Sequence, residues 1–203
     1  MRELSLHILD IVENSFEAGA TRADLRISED RRANWLTIVV SDNGRGMDAE
    51  TLQRVGDPFF TTRTTRHVGL GIPLLRAAAR RCSGDLLLTS EPGKGTCLEA
   101  TFEWDHIDRA PLGDIKGALL GMMLFQARAD IHYRHFRDGR VFEFDTAEMR
   151  EQLGNIPLTH PRVRAWLDGF LEEGLAELYG DSPATRSSWG GTPQQLGEAE
   201  CQS

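Results

Sequence analysis

The sequence predicts an α/β sandwich, a mixed sheet with helices on one face, followed by a small C-terminal α/β appendage. Three observations carry this. Up to residue 106 the hydrophobic periodicity runs helix, strand, strand, short helix, loop, helix, strand, strand. The apolar run Trp35 to Val40 ends in the loop Ser41-Asp42-Asn43-Gly44-Arg45-Gly46-Met47, whose two glycines permit backbone angles and close approaches closed to other residues. After Pro111 the character changes to a methionine-bearing apolar helix and a hairpin centred on Asp138-Gly139. The expected division is residues 1–106, residues 107–179, and a disordered tail over 180–203 rich in Ser, Gly, Pro and Gln.

In order, Leu6, Leu9, Val12 and Phe16, with Ile8 and Ile11 beside them, recur at helical spacing over 2–18, and Gly19 supplies a stop. Ala23, Leu25 and Ile27 alternate with polar residues, and the charged stretch 29–33 turns that strand back into Trp35–Val40. Asp48 is placed to cap a short helix ending near Gly56. Residues 57–67 have no periodicity, which reads as a long loop anchored by Phe59 and Phe60. A helix over 72–81 carries Pro73 in its first turn, where proline is tolerated. Strands over 84–90 and 96–104 flank Glu91-Pro92-Gly93-Lys94-Gly95, a turn composition. Beyond Pro111, a helix over 115–127, strands over 131–137 and 140–145, a helix over 146–153 capped by Thr146, and a helix over 162–179 complete the chain.

A net charge of −8 argues against a grip on the nucleic-acid backbone as the main activity. Lysine occurs only at Lys94 and Lys116, so a cation facing phosphate would be an arginine. Cys82, Cys97 and Cys201 are odd in number and form no CxxC pair, which fits neither a disulfide framework nor a thiolate metal site. Without an N-terminal apolar segment or a run of 18 apolar residues, the expectation is a cytoplasmic protein with no membrane role. His132 and His135 fall on opposite faces of a strand and do not suit a shared metal.

Two stretches have the composition of a site. His7, Asp10 and Asn14 lie at i, i+3 and i+7 of the first helix, so they project together. That stripe is either a solvated face or a site in which Asn14 gives an oxygen to Mg²⁺ and Asp10 orients or deprotonates water. In the glycine loop, Asp42 at a strand's end is either an ordinary turn residue or an acceptor for an exocyclic amine, with the glycines leaving room for a ring. Gly69-Leu70-Gly71 before a helix gathers unpaired N–H groups that suit a phosphate.

Taken together, these stretches resemble the ATP-binding domain of the GHKL superfamily, which includes gyrase, the heat-shock chaperone ATPases, histidine kinases and MutL. Asp10 to Thr21 is similar to the N box in its MutL form, and Asp42-Asn-Gly-Arg-Gly-Met47 to the G1 box. Asp57-Pro-Phe-Phe-Thr-Thr-Arg63 is similar to the F box of histidine kinases, Gly69-Leu-Gly71 to the G2 box, and Gly93-Lys-Gly-Thr96 to the closing turn. The likeness spans residues 1–104. It implies a Bergerat fold binding ATP with Mg²⁺: Asn14 on the metal, Asp42 on the adenine amine, Gly44 and Gly46 shaping the base pocket, and Met47 and Phe60 among the ATP-binding residues. Thr61, Thr62, Arg63, Gly69, Leu70 and Gly71 would belong to a phosphate lid, with Thr96 helping to hold the Asp42 side.

The departures bear on activity. Hydrolysing members carry glutamate where this chain has Asp10, one methylene shorter, with Glu13 as the substitute base; Arg63 replaces the lid lysine, and the G2 box is abbreviated. Only Met1 to Leu4 stand before the N box, so the expectation is a module without a cis phosphoacceptor domain. It would act as a nucleotide-dependent regulator, or as a histidine or serine kinase in trans, with a protein partner met through residues 107–179 and a homodimer as one arrangement. The alternatives are a slow ATPase like MutL or the chaperones, and a degenerate non-enzymatic scaffold.

Overall fold

The computed structural model describes residues 3–55, 71–125 and 129–180. Its helices are α1 (Leu4–Glu17), α2 (Ala49–Arg54), α3 (Gly71–Arg81), α4 (Ile115–Phe125), α5 (Thr146–Leu153) and α6 (Pro161–Tyr179). Its strands are β1 (Arg22–Asp30), β2 (Trp35–Asp42), β3 (Leu86–Glu91), β4 (Gly95–Glu103), β5 (Asp130–Arg137) and β6 (Arg140–Asp145). The strands form one mixed sheet in the order β3-β4-β2-β1-β5-β6, with β1 and β5 parallel and every other pair antiparallel.

The alternation in β1 decides which face is covered. Ala23, Leu25 and Ile27 are buried, while Arg22, Asp24, Arg26 and Ser28 line the more open face. Helices α1, α3, α4 and α6 supply the other half of a single hydrophobic core that takes in Ile8, Val12, Leu75, Leu119, Leu167 and Leu171. The boundary expected at residue 106 falls between β4 and α4, and strands from both sides of it share the sheet: Arg22–Glu29 pairs with Asp130–Arg137 along the whole of β5. The C-terminal hairpin thus extends the sheet at its β1 edge.

Local chemistry sets the ends of these elements. Helix α1 has no side-chain cap. Instead the backbone carbonyls of Pro111 and Leu112 accept from the Leu4 and Ser5 amides at 3.0 and 2.8 Å, which satisfies first-turn donors and fixes the segment leading into α4. Asp48 caps α2, accepting from the Thr51 amide at 2.7 Å. Asp138 and Gly139, at φ 48° and 84°, form the tight turn that their residue types favour. The cap of α5 is Asp145, which accepts from the Ala147 amide at 2.8 Å, and not Thr146. Thr146 is buried, and its hydroxyl receives the Ile131 amide at 2.8 Å and donates to Asp130 at 3.2 Å, so it is committed to β5.

On the open face His132 sits between two carboxylates, Asp24 at 2.9 Å from Nδ1 and Glu143 at 2.8 Å from Nε2. Its pKa is raised, chiefly by the hydrogen bond to Asp24, and that of Asp24 is lowered, chiefly by the same bond. The contribution of His132 is therefore complete below its ordinary value near 6.5 and is lost as pH rises through the folded value; that of Asp24 is complete above 3.8 and is lost as pH falls. The expected result is that wild type exceeds His132→Asn in urea midpoint most between those limits, with the gap narrowing as pH rises above neutrality. A gap that widens on going alkaline would remove His132⁺ from the account.

Candidate functional site

Asp42 ends β2 between its two neighbours, paired with Ala23 of β1 and Thr96 of β4. Its carboxylate is held from two directions: Oδ1 accepts from the Gly44 amide at 2.8 Å, and Oδ2 from the Ser15 hydroxyl at 2.7 Å. Two of roughly four lone-pair sites are thereby used. The side chain is only half-buried, so acceptor capacity remains at a position a ligand can reach.

Two glycine contacts set the walls. Gly46 has φ 64°, and a Cβ there would stand 1.9 Å from the Glu91 carbonyl oxygen. Gly95 has φ 94°, and a Cβ there would stand 1.9 Å from the Asp42 carbonyl oxygen. The loop after β2 and the turn between β3 and β4 therefore nest backbone on backbone, joined by the Gly93 amide donating to Arg45 O at 2.7 Å. Ser90 locks the joint: its hydroxyl accepts from the Met47 amide at 2.9 Å, donates to Gly95 O at 2.8 Å, and lies 2.9 Å from Thr96 Oγ1. At Gly44 a Cβ would meet Asp42 Oδ1 at 3.0 Å and Ala18 Cβ at 3.3 Å, a tight fit without backbone collision. Gly46→Ala is accordingly expected to cost about 1–3 kcal/mol in urea unfolding, and Gly44→Ala clearly less. Equal costs would show that the two loops are not nested in solution.

Helix α1 brings up the second half. Asn14 Nδ2 donates to Asp10 Oδ2 at 3.4 Å, and both side chains are half-buried, as is Glu13. A Cβ on Gly71 would lie 1.7 Å from Asp10 Oδ2, so the Asp10 carboxylate rests directly on the first residue of α3. One turn earlier His7 is 4% exposed, not part of a solvated stripe, because the start of α3 covers it. Burial lowers its pKa, its Nδ1 has no hydrogen-bond partner among the described residues, and the backbone of Gly71 faces the ring. Because Ser15 bonds Asp42, Asn14 stands one residue from the group that ties α1 to the end of β2.

Asp10 and Asn14 thus lie on α1, Gly71 at the start of α3, Asp42 and Thr96 at paired ends of β2 and β4, and Gly44, Gly46 and Met47 in the loop after β2. Phe60, Thr61, Thr62, Arg63, Gly69 and Leu70 lie outside the described residues. Sequence reasoning missed Ser15, Ser90 and Asn43. Ser15 and Asn43 stand inside the quoted motifs, while nothing in the spacing marks Ser90. Asn43 Oδ1 accepts from the amides of Thr21 and Arg22 at 2.9 and 3.0 Å, and its Nδ2 donates to Thr21 Oγ1 at 2.9 Å.

The donor set suits Mg²⁺. That ion binds few protein oxygens and keeps water and phosphate for the rest, and an amide with a carboxylate one turn away is such a partial shell. Among the described residues no group of three or more His, Cys, Asp or Glu could hold a metal. No described helix is long and apolar enough to cross a membrane.

Comparison with known proteins gives a matching family model over residues 2–106, the histidine kinase-, DNA gyrase B-, and HSP90-like ATPase. The sensor protein kinase FleS of Pseudomonas aeruginosa is 46% identical over 109 residues, covering 54% of this chain and 26% of its own length. Sporulation kinase C of Bacillus subtilis is 32% identical over 100 residues, 49% of this chain and 23% of its own. The chain thus spans about a quarter of the length of these relatives. The N-terminal domain of a DNA repair protein superposes with a TM-score of 0.52 at 15% identity, covering 70% of this chain and 52% of that one, a likeness of fold. The sheet, the helices on its face and the match over residues 2–106 agree, and the chain belongs to the GHKL-type histidine kinase-, DNA gyrase B-, and HSP90-like ATPase family, with the ATP-binding domain of that family as its N-terminal half.

Proposed function

We propose that this chain binds Mg²⁺-ATP between α1 and the loop after β2, and uses the nucleotide either to regulate a protein partner or to phosphorylate a histidine or serine of that partner in trans. The observation that carries the reading is the Ser15–Asp42 hydrogen bond of 2.7 Å, which sets the amine-accepting carboxylate beside Asn14. In this reading Asp42 accepts the adenine amine, Gly44, Gly46 and Met47 border the base, and Thr96 braces the Asp42 side through Ser90. Asn14 holds Mg²⁺ through its amide oxygen, and Asp10 keeps that amide oriented. Bound Mg²⁺ neutralises phosphate charge.

The described histidines favour transfer to a partner over transfer within the chain. His7 and His135 are buried, His132 is clamped by carboxylates, His160 caps α6 and His106 accepts from the Asp108 amide. Residues 107–179 offer the surface beyond the ATP-binding half for such a partner, and a homodimer is a second arrangement of the same module. Labelled ATP supplied with candidate partner proteins tests the proposal. Binding with transfer supports the kinase reading, binding without transfer the regulator, and no binding overturns both.

A slow ATPase is the second reading, favoured by the position of Asp10 against both Asn14 and the start of α3. There Asp10→Asn is expected to abolish turnover while ATP still binds, with Glu13 as the base if turnover persists.

A further inference from the structure

The adenine loop is tied to the C-terminal hairpin by an unbroken polar chain. Asn43, next to Asp42, grips the start of β1 through four hydrogen bonds: it accepts the Thr21 and Arg22 amides, donates Nδ2 to Thr21 Oγ1, and donates its own amide to Arg22 O at 3.3 Å. The two residues it grips are the ones the C-terminal segment holds. Thr21 O accepts the Asp130 amide at 2.9 Å, and Arg22 Nη2 donates to Asp145 Oδ2 at 2.8 Å. Beyond them the joint is stiff: Asp145 Oδ1 caps α5, and Arg150 donates to Asp130 Oδ1 at 2.8 Å and to Ala129 O at 2.6 Å.

We infer that Asp145 is a positioning residue for the nucleotide pocket, acting through Arg22 and Asn43 on the Asp42 loop, so that residues 129–150 set nucleotide affinity. This rests on the ATP-binding reading above. The physical reason is that Asp42 lies at the outer end of β2, where the strand leaves the sheet. Asn43 is the next residue, and of its anchors Arg22 is the first residue of β1 and Thr21 the one before it. Strand ends are where local opening is easiest, and the Arg22–Asp145 pair, with Asp145 only 15% exposed at its side chain, closes this one. Coupling is reciprocal: if the hairpin steadies the loop for ATP, ATP steadies the hairpin.

Calorimetry on the full chain with Mg²⁺-ATP tests the inference. Asp145→Asn keeps a competent cap for α5 and removes the charge, and Arg22→Gln removes the other half of the pair. Each is expected to weaken ATP binding about fivefold, and the double variant to weaken it no more than either alone. Glu29→Gln, at the far end of β1, serves as the control for general destabilisation and should leave affinity within about twofold of wild type. In the wild type, which needs no variant to fold, ATP should slow amide exchange at Ile131 and Ala147, on the far side of Arg22 from the pocket. Affinity unchanged in Asp145→Asn, or a loss matched by Glu29→Gln, overturns the inference while leaving ATP binding intact. A wild-type chain that ignores ATP overturns the reading beneath it.

Discussion

Replacing Asp42 with alanine is expected to weaken ATP binding by about 2 kcal/mol or more, roughly thirtyfold, because a buried adenine amine would lose its acceptor. The variant also strands the Gly44 amide, which donates to that carboxylate at 2.8 Å, and leaves the Ser15 hydroxyl with only the Ile11 carbonyl at 3.2 Å. A small loss of stability should accompany the loss of binding. Asp42→Asn separates the two effects. It keeps one acceptor oxygen for Ser15 or Gly44 but turns an NH₂ toward one of the donors, so binding should fall nearly as far while stability falls less. Titration calorimetry with Mg²⁺-ATP and urea unfolding on the same samples provide the check. An Asp42→Ala protein that binds ATP as well as wild type would take the carboxylate out of base recognition.

Glu29→Ala is expected to cost about 3–5 kcal/mol of folding stability, the range for removing one partner from a buried ionic cluster. Glu29 is 3% exposed, and its carboxylate accepts from His135 Nε2 at 2.7 Å, Arg137 Nη1 at 2.8 Å and Tyr179 Oη at 2.9 Å. His135 Nδ1 in turn lies 2.8 Å from the hydroxyl of buried Tyr133, and the Arg137 guanidinium sits over the Tyr179 ring. Burial alone would push the Glu29 carboxyl up, but His135, Tyr179 and Arg137 reverse it and hold the group below its ordinary range. The cluster's contribution is therefore present above pH 4.5 and lost as pH falls through the folded value. Urea unfolding near neutral pH measures the cost, and a value under about 1 kcal/mol would place the cluster's worth elsewhere than in stability. Because β1 carries Glu29 at one end and the nucleotide loop's anchors at the other, the two variants should separate cleanly: Asp42→Ala in affinity, Glu29→Ala in stability.

What was legible in the sequence is what is local in the structure. Asp48 as a cap, the Asp138-Gly139 turn, the alternation of β1 and the glycines around Asp42 depend on neighbours within a few residues. Their chemistry is written where they stand. The motifs resembling the GHKL boxes make Asn14 and Asp42, 28 positions apart, an expected pair, which no periodicity could do. What was not legible depends on pairings formed at a distance. His7 reads as part of a polar stripe until α3 is laid over it. Ser90 has no spacing to recommend it, and its role exists only because two loops distant in sequence nest, the Met47 amide reaching its hydroxyl across a separation of 43. Asp145 displaced Thr146 as the cap because the threonine hydroxyl was claimed by β5, a competition settled by tertiary structure. The change of character after Pro111 sets off a second run of elements in the sequence, but composition does not say which sheet edge such a run will join.

The parallel pairing of β1 with β5 has a consequence for how the molecule is made. Partners in that ladder are separated by 108 residues, as Glu29 and Arg137 are. A ribosome adds about 5–20 residues each second, so β1 leaves it roughly 5–20 s before its neighbour exists. During that interval the growing chain presents the backbone donors and acceptors of β1 on one side with nothing to occupy them, a template for any extended segment nearby. The sheet is completed only when β5 and β6 have been made, and until then the nucleotide-binding motifs ride on a four-stranded frame.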